Sequence, residues 1–321
     1  MQSKIILVAC VVLGYAVFGL NSSFALNSKD ESFLASLRIE KDVIYKTVHG
    51  EQLDLWLFLP QETPAEPMPV MLYTHGGGWG GGDKFKVLQP VFRDTLTRLL
   101  DAGVACAAIE YRLTRKGVST AIDSVEDCKD AARFLMANAE TYHLDPERIG
   151  VWGGSAGGHL ALMTGLADNT AFEGDESLAQ YDPEFRCIAS YYPATTFLKP
   201  ELLKGSNFER PQRMVPMIGG LAADHPDRAA LLSPTEHLRA DSPPILLLHG
   251  DEDSVLPIAL SEHFAALGKK IGADLEFVVV KGGEHSFRGD TTPSMAEINQ
   301  HAADFILFHL GVTSQRTSES P

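Results

Sequence analysis

The sequence has few cysteines and a shortage of positive charge. Only 4 cysteines occur among 321 residues, and their irregular spacing makes neither a disulfide framework nor a zinc-ligand pattern. Lys and Arg total 27 against 42 Asp and Glu, and the formal charge of −15 argues against binding to nucleic acids or anionic membranes. No set of His, Cys and carboxylate residues shows metal-ligand spacing, so we expect neither a metal nor an organic cofactor.

An apolar run opens the chain. It extends without interruption from Ile5 to Leu20, about 16 residues, which is short for a membrane span. The residues that follow end at Ala25 in the small-x-small pattern of a signal-peptidase site. We therefore predict a signal peptide over residues 1–25 and a secreted or periplasmic protein without stable membrane insertion. An uncleaved anchor is the alternative.

Signal cleavage would leave an odd number of cysteines, namely Cys106, Cys128 and Cys187. Two of them, Cys106 and Cys187, lie in apolar runs, where cysteines usually pack as small buried side chains. The sequence leaves open whether any pair forms a disulfide.

The most informative motif places a serine between glycines at a predicted strand-to-helix junction. Gly153 and Gly157 flank Ser155 as G-x-S-x-G, after a strand-like run at 148–152 and before apolar residues at helical spacing. A serine hydroxyl becomes a useful nucleophile when a sharp turn holds it exposed, within reach of a histidine and of backbone donors. Since a Gly/Ser cluster also suits an ordinary loop, the interpretation of Ser155 as a nucleophile depends on further motifs.

A glycine-rich loop follows an earlier strand. The apolar run 69–74 ends in His75-Gly-Gly-Gly-Trp79, where backbone N–H groups without covering side chains can point at a substrate oxygen. The loop also fits the G-x-G-x-x-G dinucleotide fingerprint, but the acid that this fingerprint needs about 20 residues later is missing at a strand end. An oxyanion-binding loop is therefore the better interpretation.

Candidate acid and base residues follow two later strands. The apolar run 244–250 leads to Asp251 and Asp253 in a loop, and the run 276–280 leads to His285 in a Gly-rich loop. A carboxylate at a strand end can orient a histidine, and the resulting order is Ser, Asp, His. Both aspartates lie in the same loop, and the residue pattern alone does not choose between them.

With the motifs HGGGW, GGSAGG and HGDxD in this order, the chain resembles the α/β-hydrolase superfamily, within its esterase and lipase branch of feruloyl or acetyl-xylan esterase-like proteins. The resemblance spans about residues 43–310. It implies an α/β-hydrolase fold, with a mostly parallel central sheet, helices on both faces and a small cap-like insertion. It also implies a catalytic triad and an oxyanion hole, with Asp251 as the competing acid. The implied triad is Ser155, Asp253 and His285, and the implied oxyanion donors are Gly77, Gly78 and Ala156.

Strand-like and helix-like segments alternate along the chain with the spacing of βαβ units, as a mostly parallel sheet requires. We predict strands at 43–45, 53–59, 70–74, 104–110, 149–152, 187–191, 245–248 and 276–280, and helices at 88–100, 123–137, 155–166 and 257–267. Residues 26–312 form one predicted catalytic domain, with the cap-like insertion at about 193–239 and a disordered tail at 313–321. We expect the acidic stretch 168–183 and the insertion to surround the cleft.

The resemblance implies a secreted carboxylic ester hydrolase that works through an acyl-enzyme and acts on a small-molecule or polysaccharide-linked ester. Acetyl or feruloyl esters of polysaccharides are the expected substrates. One alternative is a peptidase or amidase similar to acylaminoacyl peptidases or formamidases. Another is a non-catalytic binding module on the same fold. The sequence does not decide the oligomeric state or the acyl-chain preference.

Overall fold

A central sheet of eight strands organises the chain. The computed structural model describes residues 27–206 and 208–312, so the predicted signal peptide and tail lie outside the described residues. The strand order is β1-β2-β4-β3-β5-β6-β7-β8; β1 to β2 and β2 to β4 pair antiparallel and every other pair is parallel. The strands are β1 (Arg38–Val48), β2 (Glu51–Leu59), β3 (Met68–Thr74), β4 (Ala105–Ile109), β5 (Leu144–Gly154), β6 (Phe185–Tyr191), β7 (Ile245–Gly250) and β8 (Leu275–Val280).

Helices cover both faces of this sheet, which confirms the predicted fold class. They are α1 (Ser28–Ala35), α2 (Pro90–Asp101), α3 (Ala121–Ala137), α4 (Ala139–Tyr142), α5 (Ala156–Leu166), α6 (Val215–Ile218), α7 (Pro226–Leu231), α8 (Pro234–His237), α9 (Ala259–Ile271) and α10 (Met295–His309). Short 3-10 turns occur between several of them. The predicted segments did not include α1 or α10.

Alternation along the strands divides the apolar side chains between two cores. On β3, Leu72 packs into one core with α3, α5 and α9, whereas Met71 and Tyr73 pack into the other with α1, α2 and α10. Val151 and Trp152 divide in the same way on β5. Because successive side chains of a strand point to opposite faces, a sheet covered on both sides needs apolar residues at consecutive positions.

A hairpin joins the first two strands. β1 and β2 pair antiparallel, and the turn contains His49 and Gly50, with φ of 50° and 80°. β1 extends beyond the predicted strand 43–45. Its exposed first half, Arg38 to Asp42, lay outside the prediction because it carries charges instead of an apolar pattern. Pairing with β2, and not apolar burial, extends this strand.

The two stretches expected to surround the cleft differ in position. The acidic stretch 168–183 follows the carboxyl end of α5, about 16 Å from the serine turn at its other end, and there Arg133 donates to the carbonyls of Asn169 and Phe172. The expectation that this stretch borders the cleft was therefore wrong. Residues of the insertion do reach the glycine-rich loop, because Phe197 and Phe208 pack on Trp79 at ring distances of 6.0 and 6.1 Å.

The cysteines of the described region are free and buried. Cys106 lies on β4, Cys128 on α3 and Cys187 on β6. Burial raises the pKa of the Cys106 and Cys187 thiols to about 12, so both are neutral at physiological pH. They act as small core side chains.

Candidate active site

Ser155 occupies a strained turn between β5 and α5. Its φ of 60° and ψ of −124° are unfavourable for any residue with a Cβ, and the neighbouring chain holds it there. The Ser155 amide donates to the Tyr191 carbonyl at 2.9 Å, and its carbonyl accepts from the His159 amide at 3.0 Å. The hydroxyl is thus fixed at the carboxyl edge of the sheet, where such sheets bind ligands.

Glycines around this turn leave room for the backbone of β3. A Cβ at Gly157 would lie 2.1 Å from the Thr74 carbonyl oxygen, and a Cβ at Gly153 would lie 2.4 Å from the same oxygen. The Thr74 hydroxyl donates to the Gly157 carbonyl at 2.7 Å, which draws the two segments together. The G-x-S-x-G spacing therefore reflects close backbone contact as well as a sharp turn.

We predict that Gly157→Ala destabilises the protein by about 3 kcal/mol, because the new methyl group meets backbone atoms that cannot move aside. Gly165→Ala in the same helix is the matched control, since its methyl group would meet the end of the flexible Ile188 side chain at 2.5 Å. Urea denaturation of both variants measures the difference. If Gly157→Ala were as stable as Gly165→Ala, the close contact between β3 and α5 would be contradicted.

Ser155, His285 and Asp253 form a continuous hydrogen-bonded chain. The Ser155 Oγ lies 3.0 Å from His285 Nε2, and His285 Nδ1 lies 2.7 Å from Asp253 Oδ2. In the tautomer that this arrangement favours, Nδ1–H donates to the carboxylate and Nε2 accepts from the serine hydroxyl. The three residues come from three separate loops, after β5, β7 and β8.

The structure places the two candidate aspartates in different surroundings. Asp253 is buried, and its Oδ1 accepts from the amides of Val255 and Leu256 at 2.8 and 2.9 Å. Asp251 is exposed, and its Oδ1 accepts from the Gly282 amide at 2.7 Å. Asp253 therefore faces His285, while Asp251 joins the loops after β7 and β8.

A second histidine, His249, contacts the Asp253 carboxylate. His249 is fully buried at the end of β7, and its Nε2 lies 3.4 Å from Asp253 Oδ2 and 2.7 Å from the Leu256 carbonyl. Burial raises the pKa of the Asp253 carboxyl, but hydrogen bonds from His249 and His285 outweigh it and hold the pKa well below its usual range. Asp253 is therefore ionised throughout the neutral range.

The glycine-rich loop lies directly against the serine turn. A Cβ at Gly76 would lie 2.7 Å from the Gly154 carbonyl oxygen. Gly77 and Gly78 have φ of 142° and 63°, which glycine tolerates best, and both are exposed beside the buried Trp79. The loop thus brings side-chain-free backbone next to Ser155, as an oxyanion hole requires.

Comparison with known proteins gives the family of the chain. The model of the BD-FAE family matches residues 53–267, which include the glycine-rich loop, Ser155 and Asp253. The chain belongs to the BD-FAE family. This membership confirms the resemblance to the esterase branch of the α/β-hydrolases.

The BD-FAE chain is also similar to named esterases. It is 27% identical to esterase LipQ of Mycobacterium tuberculosis over 79% of this chain and 58% of LipQ. It is 28% identical to a probable isoprenylcysteine alpha-carbonyl methylesterase of rice over 79% of this chain and 59% of that protein. The chain therefore spans a little more than half the length of these relatives.

Solved structures show the same fold. A thermophilic esterase of the planctomycete Thermogutta terrifontis superposes with a TM-score of 0.69 at 24% identity, covering 88% of this chain and 95% of that one. A truncated carbohydrate esterase from gut microbiota gives 0.71 at 22% identity, covering 85% and 96%.

In this BD-FAE domain, the residues after β4 hold the base of the glycine-rich loop. The Tyr111 hydroxyl donates to the His75 carbonyl at 2.7 Å, and the two rings stack with centroids 4.1 Å apart. Glu110 Oε2 lies 3.5 Å from His75 Nε2, and Glu110 also pairs with Lys84. These contacts indicate that His75 shapes the loop.

The other end of the loop is held by a buried histidine. Trp79 Nε1 donates to His159 Nδ1 at 3.1 Å, and His159 Nε2 donates to the Leu232 carbonyl at 2.8 Å. Burial lowers the pKa of His159 to about 4, so the ring is neutral and can accept from Trp79. His159 thus connects the serine helix, the glycine-rich loop and the insertion, a role that its position after the serine did not reveal.

A tyrosine after β6, Tyr192, contacts the candidate base. It follows β6 with φ of 39°, and its ring lies 4.8 Å from that of His285 and 5.0 Å from that of Phe287. Ser286 and Phe287, next to His285, have φ of 66° and 55°. Strained backbone therefore concentrates around the histidine, as is common where side chains must be oriented for function.

Metal-ligand clusters and membrane-spanning helices are both absent from the described residues. No group of three or more His, Cys, Asp or Glu residues in 27–206 and 208–312 is arranged to hold a metal ion. Within the same ranges, no helix combines the length and apolar character needed to cross a bilayer.

Proposed function

We propose that this protein hydrolyses carboxylic esters through a covalent acyl-enzyme on Ser155. The observation that carries the proposal is the hydrogen-bonded chain from Ser155 through His285 to the buried Asp253, next to the glycine-rich loop. The similarity to LipQ and to the methylesterase of rice supports an ester as the substrate.

The proposed reaction has two halves. The Ser155 Oγ attacks the ester carbonyl while His285 Nε2 takes the hydroxyl proton, and the carbonyl oxygen becomes an oxyanion held by the amides of Gly77, Gly78 and Ala156. The oxyanion then collapses, the bond to the alcohol oxygen breaks, and His285 returns the proton to that oxygen. In the second half, water attacks the acyl-enzyme carbonyl while His285 takes its proton. The bond to Ser155 Oγ then breaks, His285 returns the proton to Oγ, and the carboxylic acid is released.

Asp253 has a distinct part in this proposal. Its carboxylate keeps the His285 proton on Nδ1, so that Nε2 is free to accept from Ser155. It also stabilises the imidazolium that forms after proton transfer. The depressed pKa of Asp253 keeps it charged while His285 cycles.

The proposed natural substrates are acetyl or feruloyl esters of polysaccharides. The similarity of the fold to a carbohydrate esterase from gut microbiota supports this class. The apolar run and the small-x-small pattern in residues 1–25 support export, which would bring the enzyme to such polymers. A mature protein that begins at Leu26 is the expected result of N-terminal sequencing after secretion, and retention of residues 1–25 would contradict export by cleavage.

We predict that the purified protein hydrolyses at least one of three esters faster than it hydrolyses an aminoacyl anilide. The esters are p-nitrophenyl acetate, methyl ferulate and acetylated xylan. The alcohol of an ester is a better leaving group than the amine of an amide, because the amide nitrogen must be protonated before its bond to the carbonyl carbon breaks. The kcat/KM values for the panel measure the preference. A preference for the anilide would favour the amidase alternative, and no turnover of any substrate would favour a binding module.

A further inference from the structure

We propose that Tyr192 is a positioning residue for ester hydrolysis, and that its side chain sets the placement of His285 relative to Ser155. The inference rests on the proposed function, because it concerns the same reaction. Tyr192 directly follows β6, which lies between β5 and β7 in the sheet. The three residues of the triad come from the loops after β5, β7 and β8, so β6 supplies none of them.

The backbone at the end of β6 is bonded to the ends of both neighbouring strands. The Tyr191 carbonyl accepts from the Ser155 amide at 2.9 Å, and the Tyr192 amide donates to the Leu248 carbonyl at 2.6 Å. Leu248 lies on β7, which leads into the loop that carries Asp253. The backbone of Tyr192 is therefore tied to the elements that carry two of the triad residues.

The side chain of Tyr192 extends to the loop that carries the third. Its ring and the His285 imidazole meet edge to face, with centroids 4.8 Å apart and planes inclined at 63°. The neighbouring Ser286 forms a side-chain hydrogen bond with Tyr192. Because Tyr192 is only 2% exposed, no solvent layer separates its ring from these groups. The ring therefore limits how far the imidazole can move.

The hydroxyl end of Tyr192 lies against the serine turn. A Cβ at Gly154 would lie 2.7 Å from the Tyr192 hydroxyl oxygen and 2.9 Å from Cζ. Gly154 occupies the variable position of G-x-S-x-G, and its missing side chain leaves room for the tyrosine. The same ring thus contacts the turn of Ser155 and the imidazole of His285, whose Oγ and Nε2 must stay 3.0 Å apart for proton transfer.

The backbone of Tyr192 is strained. Its φ of 39° is unfavourable for a residue with a Cβ, and glycine or asparagine would adopt it more easily. Such a conformation persists only where the surrounding contacts hold it, and it is most common where a side chain must be oriented. The strain at Tyr192 is therefore consistent with an orienting role for its ring.

The test removes the ring and keeps most of the side-chain volume. Tyr192→Met should lower kcat for p-nitrophenyl acetate by about 10- to 100-fold with KM little changed, because a misplacement of about 1 Å between reacting groups has effects of this size. Tyr192→Phe keeps the ring and should retain kcat within about threefold. Tyr73→Met is the matched control, since Tyr73 is a buried tyrosine of the same core whose ring packs on Phe92 and Trp152. Its kcat should stay near the wild-type value.

A second readout does not depend on turnover. The proton between His285 Nδ1 and Asp253 should give a downfield NMR signal in the wild-type protein, because the two groups are 2.7 Å apart. We expect Tyr192→Met to shift or broaden this signal, and Tyr192→Phe and Tyr73→Met to preserve it. Thermal unfolding shows whether each variant is folded.

Gly154→Ala tests the same contact from the serine turn, and it decides the matter if Tyr192→Met does not fold. Its methyl group would meet the movable ends of Tyr192 and Phe92, both at 2.7 Å. We expect kcat to fall by at least about tenfold, and Tyr192→Phe in the same protein to restore part of it because the nearest oxygen is removed.

Three results would overturn the inference. They are a wild-type kcat in Tyr192→Met, an equal loss in Tyr73→Met, and a rise in KM alone. Absence of any recovery in the double variant Gly154→Ala/Tyr192→Phe would also overturn it. If the wild-type protein hydrolysed no ester, the proposed function itself would fail, whereas the NMR signal would still report whether Tyr192 places His285.

Discussion

Ser155→Ala is expected to lower kcat/KM for p-nitrophenyl acetate by at least about 10⁴-fold, while the protein remains folded. The variant loses the Oγ that lies 3.0 Å from His285 Nε2, and with it the atom that would form the acyl-enzyme. The turn itself depends on backbone contacts that alanine keeps, namely those to Tyr191 and His159. Circular dichroism and thermal unfolding would show whether the fold is retained.

Covalent labelling provides a second readout for this prediction. A fluorophosphonate probe should add one label to the wild-type protein and none to Ser155→Ala, as intact mass measures. Ser254→Ala is a useful control, because this serine is exposed in the loop beside Asp253 and has no role in the proposed mechanism. Turnover above background in Ser155→Ala, or its continued labelling, would show that another residue is the nucleophile.

The position of Ser155 could be predicted because the constraint is local. Gly153 and Gly157 are required where the turn contacts the Thr74 carbonyl, and this requirement is visible in five consecutive residues. The same is true of the glycine-rich loop, whose Gly76 contacts the serine turn. Motifs that reflect backbone crowding within one turn can therefore be recognised without knowledge of the fold.

The choice between the two aspartates is different, because it depends on a turn whose path the residue types do not determine. Asp253 faces inward because its carboxylate accepts from the Val255 and Leu256 amides. Asp251, two residues earlier, meets Gly282 from another loop. The sequence places both carboxylates after β7, but only the folded backbone shows which one meets His285.

The sequence analysis predicted neither the helix α10 nor the hydrogen bond between Trp79 and His159, for different reasons. The start of α10 has a recognisable signal, since Ser294 and Glu297 form a capping box before a run that buries Ile298 and Ile306. The link between Trp79 and His159 has no such signal, because the residues are 80 positions apart and meet only when the loop after β3 lies over α5. The first could have been found by pattern and the second could not.

Asp253→Asn is expected to lower kcat for ester hydrolysis by about 10⁴-fold while leaving KM much less changed. An asparagine amide would donate to His285 Nδ1 and so favour the tautomer with its proton on Nε2, which cannot accept from Ser155. It would also leave the imidazolium without a charged partner. Steady-state kinetics at neutral pH measures the effect.

Asp251→Asn is the matched control, because it changes a carboxylate two residues away and keeps an oxygen that can accept from the Gly282 amide at the same place. Its kcat should stay near the wild-type value, and a loss as large as that of Asp253→Asn would contradict the assignment of the triad acid.

The stability of the protein as a function of pH provides a thermodynamic check on Asp253. The pKa of Asp253 in the folded protein is below its unfolded value of about 3.9. The ionised carboxylate therefore stabilises the fold above pH of about 3.9, and this stabilisation is lost as the pH falls toward the folded-state pKa. Asp253→Asn should therefore lose less stability than the wild type on acidification through this range.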